Sequence, residues 1–230
     1  MPSRRTADAD TPSHLRKPVI GIVGGIGAGK STIARLFGQL GCGIVDADAL
    51  AGQALRDPII QRQLRQWWGD TIFQPDGQVN RKALGAVVFD KPEELARLES
   101  VVHPRVLARR EELHQKYQRD PAILAIVEDT PLLMEKKLDG DCDVLVYVHA
   151  PLAARQKRVL EKRGWDAQEL ARREKRQLPL DTKANAADYM VDNGGDSEGD
   201  FGGESGGESG GESARCLEQV SRIFSQIIQE

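Results

Sequence analysis

Gly24-Gly25-Ile26-Gly27-Ala28-Gly29-Lys30-Ser31 satisfies the pattern G-x-x-x-x-G-K-[ST]. Four glycines in eight residues remove the side chains that would keep a backbone away from a ligand. Successive N–H groups can then converge on phosphate oxygens at a helix N-terminus, where the dipole also favours an anion. The candidate nucleotide-binding residues are therefore Gly25, Ile26, Gly27, Ala28, Gly29, Lys30, Ser31 and Thr32. Lys30 would reach the β- and γ-phosphates, and the Ser31 hydroxyl would join a Mg²⁺ shell. The dinucleotide fingerprint G-x-G-x-x-G does not fit, because Lys30 stands where its last glycine belongs.

Carboxylates supply a second chemistry. Gly43-Ile44-Val45-Asp46-Ala47-Asp48 ends an apolar run with aspartates two apart. Such spacing puts both on one side of a strand, at the end where open α/β sheets bind ligands. One would orient or deprotonate an acceptor hydroxyl while the other assists the metal, or one is simply the N-cap of the next helix. Asp129, closing the run AILAIVED, is a further candidate for the Mg²⁺ shell, with Glu128 competing for that role. A guanine-specific [NT]-K-x-D motif is not formed: Thr182-Lys183-Ala184-Asn185 lacks its aspartate. Basic residues cluster at Arg155–Arg163 and Arg172–Arg176, as a charged helical pair that neutralises a transferring phosphoryl group would require, although a basic helix is usually a solvated face.

These groups need a scaffold. Short β-branched runs predict strands at Val19–Val23, Gly43–Asp46, Ala122–Val127, Val144–Val148 and Tyr189–Val191. Helical spacing predicts helices over Ser31–Leu40, Asp48–Leu55, Leu152–Lys162 and Ala167–Gln177. Between 57 and 118 the strand texture disappears, and helices are expected over Ile59–Trp68, Arg81–Phe89 and Pro92–Gln118 around the turn Gln74-Pro75-Asp76-Gly77. The fold class is α/β: a doubly wound parallel five-stranded sheet with an inserted helical domain. Residues 1–17 read as a polar tail. The stretch 194–213, with three GGES repeats, reads as a disordered insert, and 214–230 as an amphipathic helix docking on the core through Val220, Ile223, Phe224, Ile227 and Ile228.

Composition narrows the partners. Thirty-two basic against 35 acidic residues leave a net charge of −3, which gives no electrostatic case for nucleic acid or an anionic membrane. No apolar run reaches the roughly 18 residues of a membrane span, and three scattered cysteines fit a reducing cytoplasm.

The combination of motifs resembles the dephospho-CoA kinase family. It rests on GGIGAGKS, Val45-Asp46-Ala47-Asp48, the block from Trp68-Gly69 through Asp76-Gly77 to Arg81 and Leu84, and Leu98-Glu99 with His103-Pro104. Asp129-Thr130-Pro131-Leu132-Leu133-Met134-Glu135 and the closing Ala187-Asp188…Asp192-Asn193 complete it. The resemblance implies an ATP-dependent kinase acting on the ribose 3′-hydroxyl of dephospho-CoA with Mg²⁺. It implies Asp48 as general base, Lys30 and Arg158 as stabilisers of the transferred group, and Asn193 near the adenine. Asp46, Arg81 and His103 would meet the acceptor. The P-loop kinase core would comprise 18–56, 119–160 and 184–193, the acceptor-binding domain 57–118 and a helical lid 161–183. A monomer is expected, with an oligomer as the alternative. Another nucleoside or nucleotide kinase, or a non-enzymatic ATP switch, are the alternatives. The Gly/Glu/Ser insert and the amino-terminal tail depart from the family pattern without breaking a motif.

Overall fold

The computed structural model describes residues 16–89, 91–194 and 208–229. Strands β1 (Val19–Gly24), β2 (Cys42–Asp46), β3 (Ala125–Asp129), β4 (Val144–His149) and β5 (Tyr189–Asp192) form one sheet in the order β2-β3-β1-β4-β5. β1 is central and pairs in parallel with β3 and β4, and β4 pairs in parallel with β5. The expected doubly wound parallel sheet is present. β3 starts three residues later than its apolar run, because Asp120 caps a turn by accepting the Ala122 N–H at 3.0 Å. The pattern of hydrophobicity could not distinguish that turn from the strand.

Alternating residues of β1 explain the layers. Ile20 and Ile22 are fully buried against α1 (Lys30–Gln39), where Ile33, Leu36 and Phe37 line the facing stripe. The same layer receives the last helix, α9 (Glu208–Ile227), through Cys216, Val220, Ile223, Phe224 and Ile227. Phe224 meets Phe37 edge to face, with centroids 6.2 Å apart. Ile228, expected on that face, is instead 48% exposed beyond the helix end. The helix also begins at Glu208, six residues before the expected 214, so the last GGES repeat lies within it. The rest of the expected insert, from 195 to 207, lies outside the described residues, as do residues 1–15 of the expected tail. Arg16 and Lys17, placed in that tail, are bonded to the core: Arg16 pairs with Asp143, and the Lys17 N–H donates to Gln118 Oε1 at 3.0 Å.

Contacts divide the described residues into two units, one up to Val45 and from Lys116 onward, the other Asp46–Gln115. The second is helical: α2 (Ala47–Ala54), α3 (Pro58–Trp68), α4 (Arg81–Val88) and most of α5 (Pro92–Arg119). It has its own core of Ile60, Leu64, Ile72, Val79, Leu84 and Val102. Trp67 and Trp68 pack at its margin, and Trp68 Nε1 donates to Glu94 Oε2 at 2.8 Å. In the first unit, β4 leads into α6 (Leu152–Arg163), α7 (Ala167–Glu174) and the short α8 (Leu180–Ala186), which periodicity did not reveal.

Candidate active site

β1 ends at Gly24 and α1 starts at Lys30, so residues 25–29 form a loop between a strand end and a helix N-terminus. The first N–H groups of α1 have no carbonyl of their own helix to bond. Gly27 (φ 77°) and Gly29 (φ 93°) take left-handed backbone that side chains disfavour. At Gly27 there is a second reason: a Cβ would come within 2.8 Å of the Arg155 carbonyl and 2.9 Å of Val159 Cγ1. The loop is thus glycine-rich partly for phosphate access and partly because α6 is packed against its back. Lys30 folds over it, donating from Nζ to the carbonyls of Gly24 at 3.1 Å and Gly25 at 2.9 Å.

Three side chains brace the loop from outside. Asn193, just past β5, donates from Nδ2 to the Ala28 carbonyl at 2.7 Å. Arg158 donates from Nη2 to the Asn193 carbonyl at 2.8 Å and from Nη1 towards Ala28 O at 3.4 Å. Arg155 is buried, donates to the Ala150 carbonyl at 3.2 Å, reaches Ile26 O at 3.5 Å and pairs with Glu174. Three of the expected residues, Lys30, Arg158 and Asn193, therefore meet at one loop. Arg155, expected in a solvated or mobile basic face, belongs to the framework. Arg172 and Arg173 are likewise engaged, both with Glu169, at 2.9 and 2.6 Å.

Electrostatics single out Lys30. Burial, followed by the nearby positive charge of Lys183, lowers its pKa from the usual value to about 8, although Asp129 pulls the other way. Lys183 is itself 2% exposed and donates to Glu135 Oε1 at 2.8 Å and Gln177 Oε1 at 3.0 Å. Glu135 also accepts the Leu178 N–H at 3.0 Å. Burial alone would raise the Glu135 pKa, but these hydrogen bonds outweigh it and hold the carboxyl below its ordinary value. Glu135 sits in a turn, not in the solvated helix that a polar run suggests. It fastens the segment between α7 and α8 to the end of β3.

That strand end carries Glu128, fully buried, and Asp129, 5% exposed. The Thr130 hydroxyl donates to Glu128 Oε2 at 3.4 Å. Among the described residues no group of three or more His, Cys, Asp or Glu side chains is arranged to hold a metal ion. The donors present are hard oxygens, Asp129 and the exposed Ser31 hydroxyl, and Asp129 is near enough to influence Lys30. This set suits Mg²⁺, which ordinarily takes one or two protein oxygens and completes its shell with phosphates and water.

In the helical unit, Asp46 and Asp48 do not share a strand face. Asp46 closes β2 and caps α2, its Oδ1 accepting the Ala49 N–H at 2.8 Å, while Asp48 lies exposed in the first turn of the helix. The cap forces this difference: satisfying the Ala49 N–H turns the chain into helix one residue after Asp46. Arg81 opens α4 after Asn80, whose Oδ1 accepts the N–H groups of Lys82 and Ala83 at 3.1 Å each. The Asp76-Gly77 turn and the Phe73–Val79 bridge lead into that cap. This block sets the N-terminus of α4, where Arg81 stands, and supplies Ile72, Val79 and Leu84 to the core. His103 sits in α5, which runs through Pro104 without ending, and its Nε2 is 3.5 Å from Glu99 Oε1. The single helix expected over this stretch is present, with Pro104 inside it.

The family model for dephospho-CoA kinase matches residues 18–198, spanning the loop, both aspartates, Arg81, His103, Arg158 and Asn193. The chain belongs to the dephospho-CoA kinase family. It is an ATP-dependent kinase by that membership. The dephospho-CoA kinase of Carboxydothermus hydrogenoformans is 37% identical over 182 residues, covering 77% of this chain and 86% of that protein. That of Anaeromyxobacter dehalogenans is 41% identical over 180 residues, covering 77% and 84%. A crystal structure from Thermus thermophilus superposes with a TM-score of 0.69 at 30% identity, covering 92% of this chain and 97% of that one.

Within this kinase, sequence reasoning passed over Lys183, Gln177 and the Arg155–Glu174 pair. Arg155 stands four residues before Val159 on α6, and that spacing was the available signal that it faces inward. Nothing local marked Lys183, since its partner Glu135 lies 48 residues away in the chain.

Proposed function

We propose that the chain transfers the γ-phosphoryl group of ATP to the ribose 3′-hydroxyl of dephospho-CoA, giving CoA and ADP, with residues 25–32 as the triphosphate cradle. The observation that carries the donor side is Lys30: half-buried, folded over the loop and placed among Asp129, Lys183 and the loop carbonyls. Family membership supplies the acceptor. Lys30 exchanges its two carbonyl contacts for phosphate oxygens, and the new negative charge raises its pKa so that it stays protonated. Arg158, held by the Asn193 carbonyl, adds a second positive charge where the transferred group carries most of its charge.

Asp48 is the general base. It is exposed in the first turn of α2, and Asp46 is engaged in capping beside it, so Asp48 is the carboxylate available to accept a proton from an alcohol. A ribose hydroxyl is a weak acid, so proton transfer comes late, and positioning and charge neutralisation carry most of the rate. Arg81 and His103 bind the anionic acceptor. Ser31 and Asp129 would hold Mg²⁺, which supplies charge neutralisation between the phosphates. Residues 161–183 act as a lid that excludes water, without which the kinase would hydrolyse ATP. The protein acts as a cytoplasmic monomer; among the described residues no helix is long and apolar enough to cross a membrane.

The test is Asp48→Asn. Loss of general-base assistance is expected to lower kcat by about 10²–10⁴-fold while equilibrium ATP binding stays near the wild-type value. Near-normal turnover would remove Asp48 from the role.

A further inference from the structure

Helix α9 lies beyond the residues that the family model matches, and it reaches the nucleotide loop through one amide. Cys216, 3% exposed, places Sγ 3.4 Å from Asn193 Oδ1. One turn on, Gln219 grips the backbone of Asp192 at both ends: its Oε1 accepts the Asp192 N–H at 2.9 Å, and its Nε2 donates to the Asp192 carbonyl at 3.1 Å. Gln219 thereby bonds the free side of β5 as a neighbouring strand would. Asn193 is next, and all its polar groups are committed. Its N–H donates to the His149 carbonyl at 2.8 Å, its carbonyl accepts from Arg158, and its Nδ2 donates to Ala28 O.

The side-chain orientation of Asn193 follows from its partners. Ala28 offers a carbonyl, which only accepts, so the amide nitrogen must face the loop and the amide oxygen must face Cys216. A flipped amide would set two oxygens 2.7 Å apart. In that orientation the Cys216 thiol, a weak donor, donates to the amide oxygen, with the Asp192 carbonyl a more distant second acceptor at 3.7 Å. The Ala28 carbonyl in turn fixes the peptide that joins it to Gly29. In a trans peptide C=O and N–H point opposite ways, so holding the carbonyl towards Asn193 directs the Gly29 N–H away from it. Only glycine fits at position 29 beside this amide, because a Cβ there would overlap Asn193 Nδ2.

We propose that Cys216 and Gln219 of α9 are positioning residues for the ATP site, acting through Asn193 on the Ala28–Gly29 peptide of the phosphate loop. They touch no substrate. Their effect is on how well the loop amides are pre-aimed, so it belongs to ATP affinity and not to acceptor binding or to the chemical step. The inference rests on the reading of residues 25–32 as the ATP cradle.

The experiment compares full-length Cys216→Ala, Cys216→Ser, Gln219→Met and Val220→Ala with wild type. It reads KM for ATP, KM for dephospho-CoA, kcat, ATP binding without acceptor, and Tm. Val220 is fully buried on the same helix and its alkyl side chain forms no hydrogen bond, so it reports loss of packing alone. Cys216→Ala and Gln219→Met are expected to weaken ATP binding and raise its KM about three- to tenfold, the worth of one modest hydrogen bond. Neither kcat nor KM for dephospho-CoA should change by more than about twofold by the same measure. Cys216→Ser restores a hydroxyl donor and should return KM for ATP towards wild type, and Val220→Ala should lower Tm without moving it. An unchanged KM for ATP in Cys216→Ala, no rescue by serine, or an equal rise in Val220→Ala would each overturn the proposal. A wild-type protein that binds no ATP would instead overturn the reading of the cradle.

Discussion

The Arg81 guanidinium occupies the space that a side chain on Gly52 would need; a Cβ built on Gly52 would overlap Arg81 Nη2. Gly52 stands four residues after Asp48 on α2, so the two lie on one face of that helix and the arginine is laid along it. The guanidinium thereby packs on α2 one turn along from an exposed aspartate, an arrangement that would suit a base and an anion-binding group for one acceptor. Gly52→Ala should swing the guanidinium away without unfolding the helix, since the obstructing atom is the end of a flexible side chain. Tm should hold or rise, because alanine favours a helix interior over glycine by about 0.5–1 kcal/mol. KM for dephospho-CoA should rise about five- to tenfold, with KM for ATP unchanged. Steady-state kinetics with each substrate varied separately checks this, and an unaltered KM for dephospho-CoA would remove Arg81 from the acceptor site.

Lys30 makes activity sensitive to alkali. With its pKa lowered to about 8 by burial and by Lys183, the nucleotide-free enzyme loses this charge as pH rises through that value. The profile of kcat/KM for ATP reports the free enzyme, so it should fall on the alkaline side with a midpoint near 8. Bound phosphates restore the proton, so the kcat profile should stay level to higher pH. Stability moves oppositely. Above about 8 the folded state holds fewer protons at this site than the unfolded chain, whose lysine titrates at 10.5, so this group's contribution rises with pH across that interval. A kcat/KM profile flat to pH 10 would contradict the assignment.

The Lys183–Glu135 pair is buried enough that breaking it from one side should be costly. Lys183→Met leaves the Glu135 carboxylate without its cation and should destabilise the protein by on the order of 3 kcal/mol. Adding Glu135→Leu should recover most of that loss, and denaturant titration of the two variants provides the comparison. The wild-type pair also carries an acid dependence. Because Glu135 is held below its ordinary pKa, its contribution is complete above 4.5 and is lost as pH falls through the lower folded value. Lys183→Met should lack that loss.

Local chemistry was readable from the chain, and distant pairing was not. GGIGAGKS declares its conformation because Gly24, Gly27 and Gly29 take positive φ, and the strands beside it announce themselves by short apolar runs rich in β-branched residues. The helix over Pro92–Arg119 was legible to within a residue, including its continuity through Pro104, because the local bias before proline is overridden along a 28-residue helix. Asp46 and Asp48 looked equivalent in spacing, and only the cap at Ala49 separates them. Lys183 and Glu135 look like ordinary surface charges in sequence. Their burial depends on a turn after β3 and on α8, a seven-residue helix too short to leave a periodic trace.

This P-loop delivers phosphate to an alcohol and not to water. ADP release by the purified chain with Mg²⁺·ATP, measured with and without dephospho-CoA, tests it most directly. A slow background should rise by orders of magnitude on adding dephospho-CoA, with one CoA formed per ADP and no comparable response to adenosine or AMP. An equal rate of ADP release with and without dephospho-CoA would contradict it.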